Sequence, residues 1–167
     1  GSRGHICCNY LTAELYAGCS IGCSYCIMKS YLNFSPISIV TDTSQIVADI
    51  RRIAGENPET MIRVGTGEVG DSLLYDPLFE LSREIVAGTA DLANVYFEMK
   101  TKTSLVDHLL DIEPKGNAVI GFSVGPESVS VQEEGSAATV EKCLVAAKKA
   151  VEHGYLTAFH FDPIFHS

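Results

Sequence analysis

Basic residues are scarce: 12 Lys and Arg stand against 21 Asp and Glu, a net charge of −9. Such a balance repels a phosphate backbone, which argues against non-specific nucleic-acid binding. Long apolar runs are missing too, because charge or glycine interrupts each one well short of the roughly 18 to 20 residues that a membrane-spanning helix needs. No basic, apolar, small-residue segment opens the chain, so neither secretion nor membrane insertion is expected, and the expected location is cytoplasmic. No internal repeat, low-complexity stretch or linker divides the 167 residues, which argues against a second domain. Gly1-Ser2 reads as a tag remnant; residues 1–11 are expected to form a lead-in and residues 12–167 the folded domain.

What is present is an ordinary globular composition, 46% hydrophobic and 20% charged. Short apolar runs alternate with segments of 3.6-residue period, the pattern of βα units. Strands are expected at Thr12–Tyr16, Met61–Val64, Val95–Met99, Ala118–Val124 and Leu156–Phe161. Helices are expected over Ser44–Ala54, capped by Asp42, Thr43 or Ser44, and after Pro77 with Leu78, Leu81, Ile85 and Val86 inward. A short helix over Leu105–Leu110 and a clear one over Thr139–His153 complete the set. The latter buries Val140, Cys143, Leu144, Ala147 and Val151 and stops at Gly154. Strands that each lead into a helix imply a parallel sheet, whose ligands gather at the carboxyl ends of the strands.

Six cysteines could form a disulfide framework, but their spacing is lopsided. Cys7 and Cys8 are adjacent, Cys143 stands alone on a helix stripe, and Cys19, Cys23 and Cys26 fall within eight residues directly after the first expected strand. Three thiolates are one ligand short of tetrahedral zinc, and no second cysteine knuckle appears; His5, His108, His153, His160 or His166 would have to supply the fourth. A disulfide would strand the third thiol. An iron-sulfur cluster held by three thiolates, with one iron open to an outside ligand, fits the set better.

The Cys-x3-Cys-x2-Cys loop, with Tyr25 before its last cysteine, resembles the signature of the radical S-adenosylmethionine (AdoMet) enzymes. The resemblance implies a partial (β/α) barrel of the TIM-like type and a 4Fe-4S cluster on Cys19, Cys23 and Cys26. It also implies reductive cleavage of AdoMet to a 5′-deoxyadenosyl radical, with an electron donor such as flavodoxin or ferredoxin. Gly65-Thr66-Gly67-Glu68 is similar to the family's glycine-rich turn that receives the methionyl ammonium group, where glycines permit close backbone approach and a carboxylate pairs with the cation.

From about Glu14 onward the chain resembles the spore photoproduct lyase branch. Thr101-Lys102 with Val106-Asp107-His108-Leu109-Leu110, Gly121-Phe122-Ser123-Val124, and Gly154-Tyr155 leading to Asp162-Pro163-Ile164 carry that likeness. It implies that Lys102 faces the AdoMet carboxylate and Ser123 its carboxylate or ribose. Two departures stand out. The lyase has a hydrogen-donor cysteine after its second strand, where this chain reads Gly67-Glu68-Val69-Gly70-Asp71, and a tyrosine after its third cluster cysteine, where this chain has Ile27. These departures, the negative charge, and Glu68 and Asp71 at the strand mouth point to a substrate other than a thymine dimer, with dimer repair as the alternative. The resemblance also implies a barrel continuing beyond residue 167, so dimerisation through an exposed edge strand is a further expectation. A zinc-binding module or an inactive scaffold are the competing readings.

Overall fold

The computed structural model describes residues 10–32, 36–113 and 115–164. Expectations that involve Gly1, Ser2, His5, Cys7, Cys8 and His166 fall outside these residues. The described residues open with β1 (Tyr10–Thr12) and β2 (Tyr16–Ala17), then the cysteine loop, a single turn α1 (Met28–Tyr31) and β3 (Ser38–Ile39). Next come α2 (Ser44–Glu56), β4 (Ile62–Thr66), α3 (Asp76–Phe79), α4 (Leu81–Thr89) and β5 (Val95–Thr101). A 3₁₀ turn (Asp107–Leu109), β6 (Ala118–Ser123), α5 (Glu127–Glu133), α6 (Val140–Glu152) and β7 (Leu156–His160) complete it. Five strands form one parallel sheet in the order β1-β4-β5-β6-β7, while β2 and β3 pair antiparallel beside it. No described helix is long and apolar enough to cross a membrane.

Alternation along the strands sorts the sheet's two faces. Val95, Phe97 and Met99 of β5 and Ile120 and Phe122 of β6 are buried against the helices, with Ile50 and Ala54 of α2, Ile85 and Val86 of α4, and Ala146, Ala147 and Ala150 of α6. The opposite, concave face carries Tyr10, Arg63, Gly65, Glu98, Lys100, Gly121, Ser123 and His160, as the strand registers place them. This is the expected α/β architecture, with parallel strands and helices on one side.

Several local expectations are corrected. The strand expected at Thr12–Tyr16 is split: β1 joins the main sheet, whereas Tyr16 and Ala17 turn away to pair with β3. The helix after Pro77 is interrupted at Glu80, whose left-handed φ of 53° ends α3 and leaves Leu78 79% exposed instead of inward. The helix expected over Leu105–Leu110 is only one 3₁₀ turn, because the Thr103 hydroxyl takes the Leu105 N–H at 3.3 Å and holds the entry in a turn. On α6 the packed stripe consists of Cys143, Ala146, Ala147 and Ala150, and both Leu144 and Val151 face outward. Small side chains let the helix sit close to the sheet. The one-turn α1 and the short α5 were not legible in the periodicity.

Candidate functional site

The cysteine loop starts where β2 ends and is shaped by two left-handed glycines, Gly18 (φ 94°) and Gly22 (φ 89°), in a conformation that strains any residue with a Cβ. Gly18 N–H donates to the Val69 carbonyl at 2.9 Å, tying the loop to the segment after β4. On its other side the loop is clasped by the stretch that follows α5. Ser24 N–H donates to the Glu133 carbonyl at 2.7 Å, Ser136 N–H to the Ile21 carbonyl at 2.9 Å, and the Ser24 hydroxyl to the Glu133 carboxylate. Gly135 (φ 53°) makes this approach possible, because a Cβ there would lie 2.1 Å from the Ile21 carbonyl oxygen.

Cys19, Cys23 and Cys26 share the rim of one cavity of about 590 Å³ at the carboxyl ends of β4, β5 and β6. Gly67, Glu68, Lys102 and Ser123 line the same cavity, together with Asp71, Lys100 and Asp162. Gly65 and Thr66 do not. Gly65 lies beneath the Tyr10 ring, and Thr66 is buried, its hydroxyl donating to the Ser72 hydroxyl at 2.7 Å. Burial pushes the Cys19 thiol up to about 11 and raises Cys23 against the pull of the Lys102 ammonium, so both favour a proton until a metal displaces it.

Charge at the rim is already paired. Glu68 meets Lys100 at 2.8 Å across half-exposed side chains. Lys102 meets Glu134 at 2.7 Å, with Lys102 16% and Glu134 3% exposed. Burial would raise the Glu134 carboxyl, but hydrogen bonds from Lys102, Ser130 and Tyr25 outweigh it and hold the group below the usual carboxylate range. Asp71 is buried, which pushes its carboxyl up; the N–H groups of Lys102, Leu73 and Leu74 and the Thr101 hydroxyl oppose that shift. By accepting all four it fastens the turn after β4 to the end of β5. Ser123 donates to the Asp162 carbonyl at 3.1 Å. Glu134 and Lys100 were missed from the sequence: an acidic residue before a glycine carries no local sign of a partner some thirty or a hundred residues away.

No described histidine lines the cavity: His108 is bonded to Asp76 at 2.7 Å, His160 to Glu98 at 2.5 Å, and His153 to the Lys149 carbonyl at 2.8 Å. Among the described residues no three Cys, His, Asp or Glu side chains converge as around a single ion. The three thiols line one cavity and could hold an iron-sulfur cluster by one side, leaving a position open on the other. Cys143 is buried on α6, its Sγ 4.0 Å from the Thr103 carbonyl, and acts there as a small hydrophobe.

A parallel α/β half-barrel that carries three closely spaced cysteines over the carboxyl ends of its strands defines a protein of the radical AdoMet class. Residues 7–167 match the family model for spore photoproduct lyase, and the chain belongs to that family. A solved spore photoproduct lyase complexed with dinucleoside spore photoproduct is similar with TM-score 0.85 and 25% identity, over 92% of this chain and 45% of that one. A mutant spore photoproduct lyase with bound AdoMet and dinucleoside spore photoproduct gives 0.86 and 24%, over 92% and 46%. A polyhistidine-tagged anSMEcpe with bound AdoMet shares the fold, with TM-score 0.62 and 14% identity over 90% and 41%. The chain thus spans less than half the length of these solved relatives. No curated protein matches it.

Proposed function

We propose that this half-barrel binds a 4Fe-4S cluster and AdoMet and generates a radical for a lyase-like reaction. The observation that carries the reading is the meeting of Cys19, Cys23 and Cys26 with Glu68, Lys102 and Ser123 around one cavity. Bound there, the reduced cluster and AdoMet together supply a one-electron cleavage that yields a 5′-deoxyadenosyl radical. The three thiolates hold the cluster by one side, and the Gly18 and Gly22 turns present them. Glu68 offers a carboxylate to the methionyl ammonium group, and Gly67, at φ 91°, brings backbone close to it. Lys102 keeps Glu134 and offers a remaining N–H to the methionyl carboxylate, beside the Ser123 hydroxyl. Asp71 holds these two walls in register. An electron donor such as flavodoxin or ferredoxin serves the reduction.

The substrate differs from a thymine dimer in this reading, because the stretch Gly67-Glu68-Val69-Gly70-Asp71 after β4 holds no thiol and Ile27, not a tyrosine, follows Cys26. Dimer repair is the second reading, favoured by the relatives solved with dinucleoside spore photoproduct. The test is anaerobic reconstitution with iron and sulfide, reduction, addition of AdoMet and chromatographic quantification of 5′-deoxyadenosine. Product that disappears in each of Cys19→Ala, Cys23→Ala and Cys26→Ala supports the reading. Product that survives any of the three removes it, and a colourless protein with stoichiometric zinc returns the metal-module reading.

A further inference from the structure

Below the cavity, a second polar cluster spans the concave face from β1 to β7, with Glu98 one same-face position below the cavity-lining Lys100 and Arg63 two below Gly67. Glu98, at the centre of β5, is 7% exposed, yet both carboxylate oxygens are engaged. His160 Nε2 of β7 lies 2.5 Å from one, and the Tyr10 hydroxyl of β1 donates to the other at 3.1 Å. β1 and β7 are each two strands away from β5, and their side chains reach Glu98 only because glycine occupies this face of the strands between. A Cβ on Gly65 would stand 1.5 Å from the Tyr10 hydroxyl oxygen, and one on Gly121 would stand 2.8 Å from the Glu98 carboxylate and 2.9 Å from His160 Nε2.

Arg63 completes the cluster. Its guanidinium lies over the Tyr10 ring, 5.2 Å from the centroid, and approaches Glu98 no closer than 3.9 Å, beyond hydrogen-bond range. Its side chain is 45% exposed, and among the described residues it donates no hydrogen bond. Stacking pins the group while its planar donors stay open, the state in which arginine recognises an oxyanion by two parallel bonds. Lys100 lies 5.5 Å from the same ring centroid and also lines the cavity above, so the two regions are contiguous.

We infer that this face of the half-barrel seats a single anionic group of the substrate, a carboxylate or a phosphate, on the Arg63 guanidinium, and that His160, bonded to the other oxygen of the Glu98 carboxylate that Arg63 approaches, reports its arrival. Glu98 and Tyr10 are positioning residues: Glu98 fixes the imidazole and the phenol, and Tyr10 carries the guanidinium. Among the described residues Arg63 alone of the arginines donates no hydrogen bond, and in a chain of net charge −9 that suits one anionic group rather than a polyanion. The inference rests on the functional reading above in placing a substrate here, but its test needs neither cluster nor AdoMet.

Acetate and inorganic phosphate are titrated separately into histidine-labelled protein at constant pH and ionic strength. The His160 ring resonance is followed by NMR and assigned by its loss in His160→Gln. A saturable shift is expected, weakened at least about tenfold in Arg63→Ala, the effect of losing one charge-assisted bidentate contact. Arg63→Lys, which keeps the charge and loses the fork, is expected between the two. Saturation by both anions supports the shared class, and saturation by one alone assigns the group as carboxylate or as phosphate. No saturable shift with either anion at tens of millimolar overturns the inference, as does equal affinity in a folded Arg63→Lys protein. Failure here leaves 5′-deoxyadenosine formation unaffected, and failure of that assay leaves anion binding standing.

Discussion

Glu134→Gln isolates the contribution of charge to the clasp on the cysteine loop. The substitution preserves shape but leaves the Lys102 ammonium, 16% exposed, without its counter-charge. Removing one partner of a fully enclosed ion pair costs about 3 to 5 kcal/mol. Lys102 keeps some water and an approach of 3.5 Å to the Asp162 carbonyl, so the lower end applies, about 3 kcal/mol. In a domain of this size each kcal/mol moves the melting midpoint by about 2 to 4 °C, which makes the expected drop about 6 to 12 °C. Urea and thermal unfolding followed by circular dichroism measure it. The pH dependence gives a second check with a definite sign. Because the folded-state pKa of Glu134 lies below its ordinary 4.5, its stabilisation is fully present above 4.5 and is lost as pH falls through the lowered folded value. The gap between wild type and Glu134→Gln should therefore be constant from neutral pH down to about 5 and close in stronger acid. Adding Lys102→Met should recover most of the loss, since no unpaired charge then remains. A gap under about 0.5 kcal/mol near neutral pH, or one unchanged in strong acid, refutes the argument.

Gly135→Ala should destabilise by about 2 to 5 kcal/mol in urea unfolding, combining a left-handed backbone with a Cβ driven into the Ile21 carbonyl; a change within about 0.5 kcal/mol would mean that the loop does not dock there. Arg51→Ala removes a bidentate pair to Asp91 at 2.6 and 2.8 Å that is open to water, and the urea midpoint should not move measurably. A clear loss would assign the contact between α2 and α4 to this pair. Glu68→Ala and Lys102→Ala should each weaken AdoMet binding by about 1 to 3 kcal/mol in calorimetry. Unchanged affinity would return them to structural roles.

The sequence makes helices legible where one side of the pattern meets a sheet: α2 is foreseen to within two residues, and β5 and β6 carry their apolar runs as expected. What escapes is whatever distant partners decide. Tyr16 and Ala17 look like a continuation of β1, but the Leu15 carbonyl accepts from Val40 N–H at 3.0 Å, and the chain there follows β3 instead of β4. Leu144 and Val151 fit a helical stripe as well as Ala146 and Ala150 do; only the close approach of α6 to the sheet selects the small residues. The thiol motif was readable because its three cysteines fall within eight residues of one another. The Tyr10, Glu98 and His160 cluster was not, since its three members lie far apart in the chain and meet only across two glycines.

The residue types that resemblance assigns to AdoMet are legible, but their pairings change what each one does. Glu68 and Lys100 form a half-exposed pair, which contributes little, so exchanging Lys100 for a ligand ammonium group costs little. Lys102 and Glu134 are enclosed, so surrendering Glu134 to a ligand carboxylate would cost more than the new contact returns. A lysine ammonium has three protons, and the least costly arrangement keeps Glu134 while adding the ligand. In the proposed reading Lys102 would be both a ligand contact and the pin that holds Glu134, to which the Tyr25 hydroxyl donates, whereas Glu68 would be a ligand contact alone. Loss of Lys102 should lower AdoMet affinity and fold stability together, and loss of Glu68 should lower affinity while the melting curve stays in place.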